Sequence, residues 1–213
     1  PEAMDAVTSG NDNIGIGHET LTRLTTGASN IAMGNNALGQ NTVTGNYNVA
    51  IGFFALGDDS NGSNNVAIGY AAGRDQIGVS GSVFIGENAG HDVSNGQQNI
   101  AIGKNSMYGG TTTGDNNIAI GVNAGDALTS GYQNVLLGGE AGGAINSGYL
   151  NTIIGYQSGQ ALTSGIANTI IGWQAGYSLQ TGHNNIFIGR ESGYNVTTTI
   201  QNVIAIGHGA GKG

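Results

Sequence analysis

The residues of this 213-residue chain that could carry chemistry are few and scattered. Its four histidines, His18, His91, His183 and His208, show no ligand spacing among themselves, and it has no Cys. Neither a structural zinc site nor a disulfide framework is therefore expected. The terminal run Gly207-His208-Gly209-Ala210-Gly211-Lys212 has the outline of a phosphate loop, but the first required Gly falls on Ile206 and no Ser or Thr follows Lys212. Asp12, Asp58 and Asp59 could hold Ca²⁺ weakly, yet a Ca²⁺-binding β-helix repeat needs an Asp in every copy. Paired carboxylates such as Asp58-Asp59 do not recur from unit to unit, which weakens a glycoside-hydrolase reading. These patterns predict a protein that is not an enzyme and uses no cofactor or metal.

Binding is better served, because aromatic residues recur at a spacing of 17. Phe53 and Tyr70 form one such pair, and Tyr156, Trp173 and Arg190 form a row of three. Tyr132 with Tyr149, and Tyr177 with Tyr194, repeat the same interval. Aromatic faces about 5 Å apart can stack sugar rings, or can simply pack on each other. Phe53, Tyr70, Tyr156, Trp173 and Arg190 are the candidate ligand- or receptor-binding residues. Thr and Ser also recur, as in Thr25-Thr26, Thr112-Thr113, Thr129-Ser130 and Thr163-Ser164. An outward hydroxyl lattice would bind ice, but these are adjacent corner residues suited to capping backbone groups.

The elements that position these residues follow from an internal repeat. A Gly closing an apolar triplet recurs at 17, 34, 52, 69, 86, 103, 121, 138, 155, 172, 189 and 207, spaced 17 residues eight times and 18 three times. Twelve units fill the chain without a linker, so residues 1–213 read as one repeat domain. Four positions before each anchor Gly stands Asn in ten units; Ser82 and Val203 are the exceptions. Ile, Val or Thr stands three before, and Ile, Leu or Met one before. β-Branched residues at alternate positions, bounded by Gly and Asn, predict short strands. With 41 Gly, helices are implausible, since Gly costs roughly 1 kcal/mol per helix-interior position. The expectation is an all-β solenoid of twelve coils about 4.8 Å apart, with the Asn side chains stacked from coil to coil.

The rest of the composition narrows the class. A single Pro and no strict three-residue period exclude collagen, and 38% hydrophobic residues argue against disorder. A net charge of −8 with five Lys and Arg argues against a nucleic-acid partner. No apolar run reaches the ~18 residues of a membrane span, so this segment is not expected to insert into a membrane.

The position two before the anchor bears on assembly. It reads Gly15, Ala32, Ala50, Ala67, Phe84, Ala101, Ala119, Leu136, Ile153, Ile170, Phe187 and Ala205, with no polar side chain. Alternation sets it on the face opposite its two aliphatic neighbours. The column is therefore expected to face outward, and its apolar side chains to be covered by another chain. Phe84, Leu136, Ile153, Ile170, Phe187, Ala67, Ala101 and Ala119 are the expected interface residues.

Units such as Asn65-Val66-Ala67-Ile68-Gly69-Tyr70-Ala71-Ala72-Gly73 and Asn117-Ile118-Ala119-Ile120-Gly121 resemble the head repeats of YadA-like trimeric autotransporter adhesins, and equally the related repeats of phage tail fibres. The resemblance spans essentially the whole chain. The 17–18-residue unit is longer than that of adhesin heads, with the added residues in the Thr/Ser-Gly corner. The resemblance implies a left-handed β-roll, a parallel homotrimer, and an extracellular fibre segment, on a virion or a bacterial surface, that attaches to a surface glycan or protein receptor. It implies that the chain is part of a longer fibre. A purely structural spacer and an ice-binding solenoid are the alternatives.

Overall fold

Each unit bends because particular positions adopt left-handed backbone. The position five before the anchor does so in unit after unit, as at Tyr47, Asn64, Gln98 and Leu150. So does the position two after it, as at Asn88, Gln157 and Gln174. A non-glycine residue there costs roughly 1–2 kcal/mol, so the coil geometry is imposed by the stacking of its neighbours. The anchor itself tolerates only Gly: Gly121 has φ +140°, and a Cβ there would strike the carbonyl of Gly138 in the next coil. Between these corners only three residues remain extended.

A computed structural model describes every residue except Pro1, Glu2, Ala6, Ser60 and Gly213. Twelve three-residue strands form a single parallel sheet in sequential order. They are β1 (Ile14–Ile16), β2 (Ile31–Met33), β3 (Val49–Ile51), β4 (Val66–Ile68), β5 (Val83–Ile85) and β6 (Ile100–Ile102). The second half holds β7 (Ile118–Ile120), β8 (Val135–Leu137), β9 (Thr152–Ile154), β10 (Thr169–Ile171), β11 (Ile186–Ile188) and β12 (Ile204–Ile206). Like positions pair throughout, for example Ile153 with Ile170 and Ile170 with Phe187. The molecule is thus the expected all-β solenoid, with about eleven turns of 17–18 residues between the first strand and the last. Among the described residues there is no helix.

The expected facing of the strand is reversed. The central residue of the triplet points into the coil: Ala67, Phe84, Ala101, Ala119, Leu136, Ile153, Ile170 and Phe187 are all 0% exposed within one chain. They form the chain's own core, so none of them is available as an interface residue. The reason is that the chain folds back over this side of the strand after the anchor Gly. The third, fourth and seventh residues beyond the anchor pack there, as Ala141 and Ile145 do beside Leu136. Alternation distinguishes two faces, but it does not say which one the chain covers.

Within the coil two positions exchange volume. Where the fourth position after the anchor is large, the central residue is small: Leu21 with Gly15, Leu38 with Ala32, Leu56 with Ala50, Met107 with Ala101. Where the central residue is large, that position is Gly: Phe84 with Gly90, Ile170 with Gly176, Phe187 with Gly193. A Cβ at Gly90 would overlap the Phe84 ring. Close packing makes such pairs interdependent. Phe84→Ala is expected to cost about 3–5 kcal/mol through its cavity. Gly90→Leu should be similarly disruptive through overlap. The double variant, which copies the native Ala50/Leu56 arrangement, should recover much of the loss in a denaturation cycle.

The Asn column joins the coils from within. Asn151 Nδ2 donates to Asn134 Oδ1 at 3.0 Å and to the Gly165 carbonyl at 2.8 Å. Its Oδ1 accepts from the backbone N–H and Nδ2 of Asn168, both at 3.0 Å. The pattern repeats from Asn99 to Asn185. Ser82 keeps it going, its Oγ accepting the Asn99 N–H at 3.1 Å. Two buried residues break the apolar pattern seven positions after the anchor: Asp59, whose Oδ1 accepts the Gly62 N–H at 3.1 Å, and Gln76, where other units carry Leu128, Ile145, Leu162 or Leu179. The Gln76 amide nitrogen and oxygen are buried without hydrogen-bond partners. Gln76→Leu is expected to raise stability by about 1–2 kcal/mol, read as a higher denaturation midpoint.

Candidate functional site

The inward turn of the central residue leaves its two neighbours pointing out. The outer face of the sheet therefore carries two parallel rows of Ile, Val, Leu, Met and Thr, a pair from every strand. In the middle of the rod, side chains such as Ile102, Ile120, Ile154 and Ile171 are half-buried by their neighbours above and below. Leu137 is 41% exposed, and Ile16 and Ile206, in the first and last strands, are 56% and 64% exposed. Twelve strands at about 4.8 Å make a strip roughly 53 Å long and, with side chains, about 10 Å wide. Among the described residues, no other segment covers it, and only Thr152 and Thr169 bring hydroxyls to it. A continuous apolar strip of roughly 500 Å² is at the upper limit of what soluble monomers expose.

Immediately after the anchor Gly, at the border of this strip, lies the row that contains all five candidate binding residues. Phe53 and Tyr70 are exposed and stacked, with ring centroids 5.4 Å apart and planes 8° from parallel. Trp173 is exposed, and the Arg190 guanidinium sits 4.9 Å from its ring centroid. Tyr156 is exposed too, but its ring lies toward Gly139 in the preceding coil, 3.3 Å from where a Cβ would stand. The structure therefore brings Trp173 and Arg190 together and sets Tyr156 beside them, leaning away. Glu87 and Lys104 pair at 3.0 Å farther along the same row.

On other edges, Tyr132 stacks on Tyr149 at 4.6 Å and Tyr177 on Tyr194 at 5.1 Å. Lys212 lies 5.1 Å over the Tyr194 ring and 2.6 Å from Glu191, whose carboxyl it holds below the ordinary range. Burial raises the Asp126 carboxyl. The corner hydroxyls are engaged in the coil itself: Thr129 Oγ1 donates to the Asn146 carbonyl and Thr163 Oγ1 to the Gln180 carbonyl, both at 3.1 Å. They tie coil to coil rather than present a hydroxyl lattice.

Comparison with family models, curated proteins and solved structures gives no match. The physical surface therefore carries the functional argument. The aliphatic strip is hard to read from the sequence because its residues look like core. The volume exchange between the central residue and the fourth position after the anchor was the available signal, since only residues inside one coil need to compensate each other in size.

Proposed function

We propose that this chain is a rigid, non-enzymatic segment of an extracellular trimeric fibre, a phage tail fibre or a bacterial surface adhesin. Its role is to present a regular surface for attachment to a cell-surface glycan or protein. The observation that carries this reading is the uncovered aliphatic strip running the length of the sheet. A strip that is straight, narrow and in constant register fits parallel association of identical chains, since each outward row meets the same row of its neighbours along a common axis. Three chains, each a left-handed roll, is the arrangement that the YadA-like resemblance implies. The strip forms the axis of the trimer, and the bordering Phe53–Tyr70 and Trp173–Arg190 surfaces supply the aromatic contacts for a sugar.

The solution mass from light scattering tests it. The 21.3 kDa chain should run near three times that mass. A monomer or dimer would overturn the trimer. A monomer that shapes ice crystals would transfer the aliphatic face to ice. For attachment, Trp173→Ala is expected to lower binding to a bacterial-glycan array about tenfold, the loss of one aromatic stack, with an unchanged melting temperature. Undiminished binding would remove Trp173 from the contact surface, and an array with no positive glycan would leave the segment a spacer.

A further inference from the structure

We propose that Asp75, His91 and Asp92 form a site for a divalent first-row transition ion that clips two adjacent coils together. Asp75 follows β4, and His91 and Asp92 follow β5. His91 Nδ1 stands 2.9 Å from Asp92 Oδ1 and 3.5 Å from Asp75 Oδ2. One ligand atom from each residue lies within 4.8 Å of the others. An ion bound at about 2.0–2.2 Å by imidazole nitrogen and carboxylate oxygen places its ligands roughly 3–3.5 Å apart, so small side-chain rotations complete the geometry. The ring is held in place: the His91 side chain is 16% exposed and meets the Tyr108 ring edge-on at 5.5 Å.

The electrostatics of the column favour a cation. Asp58, Asp75 and Asp92 occupy the same position in three consecutive coils, so like charges stand one above another. Arg74 serves the lower pair, 3.6 Å from Asp58 and 3.5 Å from Asp75. Between Asp75 and Asp92, the pairing group among the described residues is His91. An unprotonated Nδ1 and two carboxylate oxygens at these distances repel one another unless a proton or a metal ion stands between them. One nitrogen with two oxygens suits Zn²⁺ or Co²⁺ and falls short of the six to eight oxygens that Ca²⁺ takes. The ligands carry no motif in linear sequence because the 17-residue register brings them together.

Calorimetric titration of Zn²⁺ into the full chain in metal-free buffer at pH 7.5 tests the site. One ion per chain is expected, with a micromolar Kd and Ca²⁺ at least a hundredfold weaker. His91→Ala and Asp75→Asn should each weaken Zn²⁺ at least tenfold, while the exposed His18→Ala should not. Circular dichroism establishes that each variant is folded. Zn²⁺ binding no tighter than millimolar, or binding that survives His91→Ala, would overturn the proposal and leave a proton between His91 and Asp92.

Discussion

Ile170→Asp is expected to unfold the coils around β10, whereas Ile171→Asp, one residue later, should leave each chain folded and separate the chains. Ile170 is fully buried against Phe187 and Ile153, so the substitution removes its packing and places a carboxylate among aliphatic side chains. Losing the side chain alone costs about 2–5 kcal/mol, and the unpaired buried charge adds to it. Because stability in a solenoid is a sum of coil and neighbour contributions, the damage should be local, with hydrogen exchange accelerated in coils 9 to 11 first. Ile171 is half-buried on the outward strip. Its carboxylate would stay hydrated in an isolated chain and cost under about 1 kcal/mol. On the proposed axis three such charges would meet, so the mass should fall toward a single folded chain. The opposite pattern, folded monomers from Ile170→Asp and an intact assembly from Ile171→Asp, would reverse the facing of the strand.

Asn151→Ala should be nearly as damaging, although it removes no apolar packing. The side chain's two donations and two acceptances link Asn134, Gly165 and Asn168. Truncation leaves the Gly165 carbonyl and the Asn168 N–H without partners in a buried setting. Each orphan costs about 1–3 kcal/mol, giving roughly 3–5 kcal/mol in the denaturation midpoint. Asn151→Asp keeps the acceptor but cannot donate, and it sets a carboxylate against two oxygens, so it should be no milder. Asn151→Ser should lose less than Ala, because Ser82 already continues the ladder with its hydroxyl. An Ala variant within about 1 kcal/mol of the parent would mean that the ladder contributes order but little stability.

The surfaces proposed for sugar contact have neighbours that are legible in linear sequence. Residues 17 apart had to be stacked, and Phe53 on Tyr70, Tyr132 on Tyr149 and Arg190 over Trp173 follow directly from that spacing. Tyr156 did not follow it, because Gly139 below offered its ring an open place that Trp173 above did not. His91 carries no ligand spacing in linear sequence, because its candidate co-ligand Asp75 comes from the preceding coil. A solenoid can assemble ligands from different coils instead.

The sequence by itself determined the repeat, the number and order of strands, the parallel register and the internal Asn ladder. All of these follow from period and residue type, because each coil must repeat the contacts of the last. Which face of the strand is inside was decided only by the tertiary structure. Both faces are apolar, so hydrophobicity cannot choose between them. The direction in which the chain bends after the anchor Gly does choose. It closes each coil over the central residue and leaves the flanking aliphatic rows of Ile, Val and Leu outside.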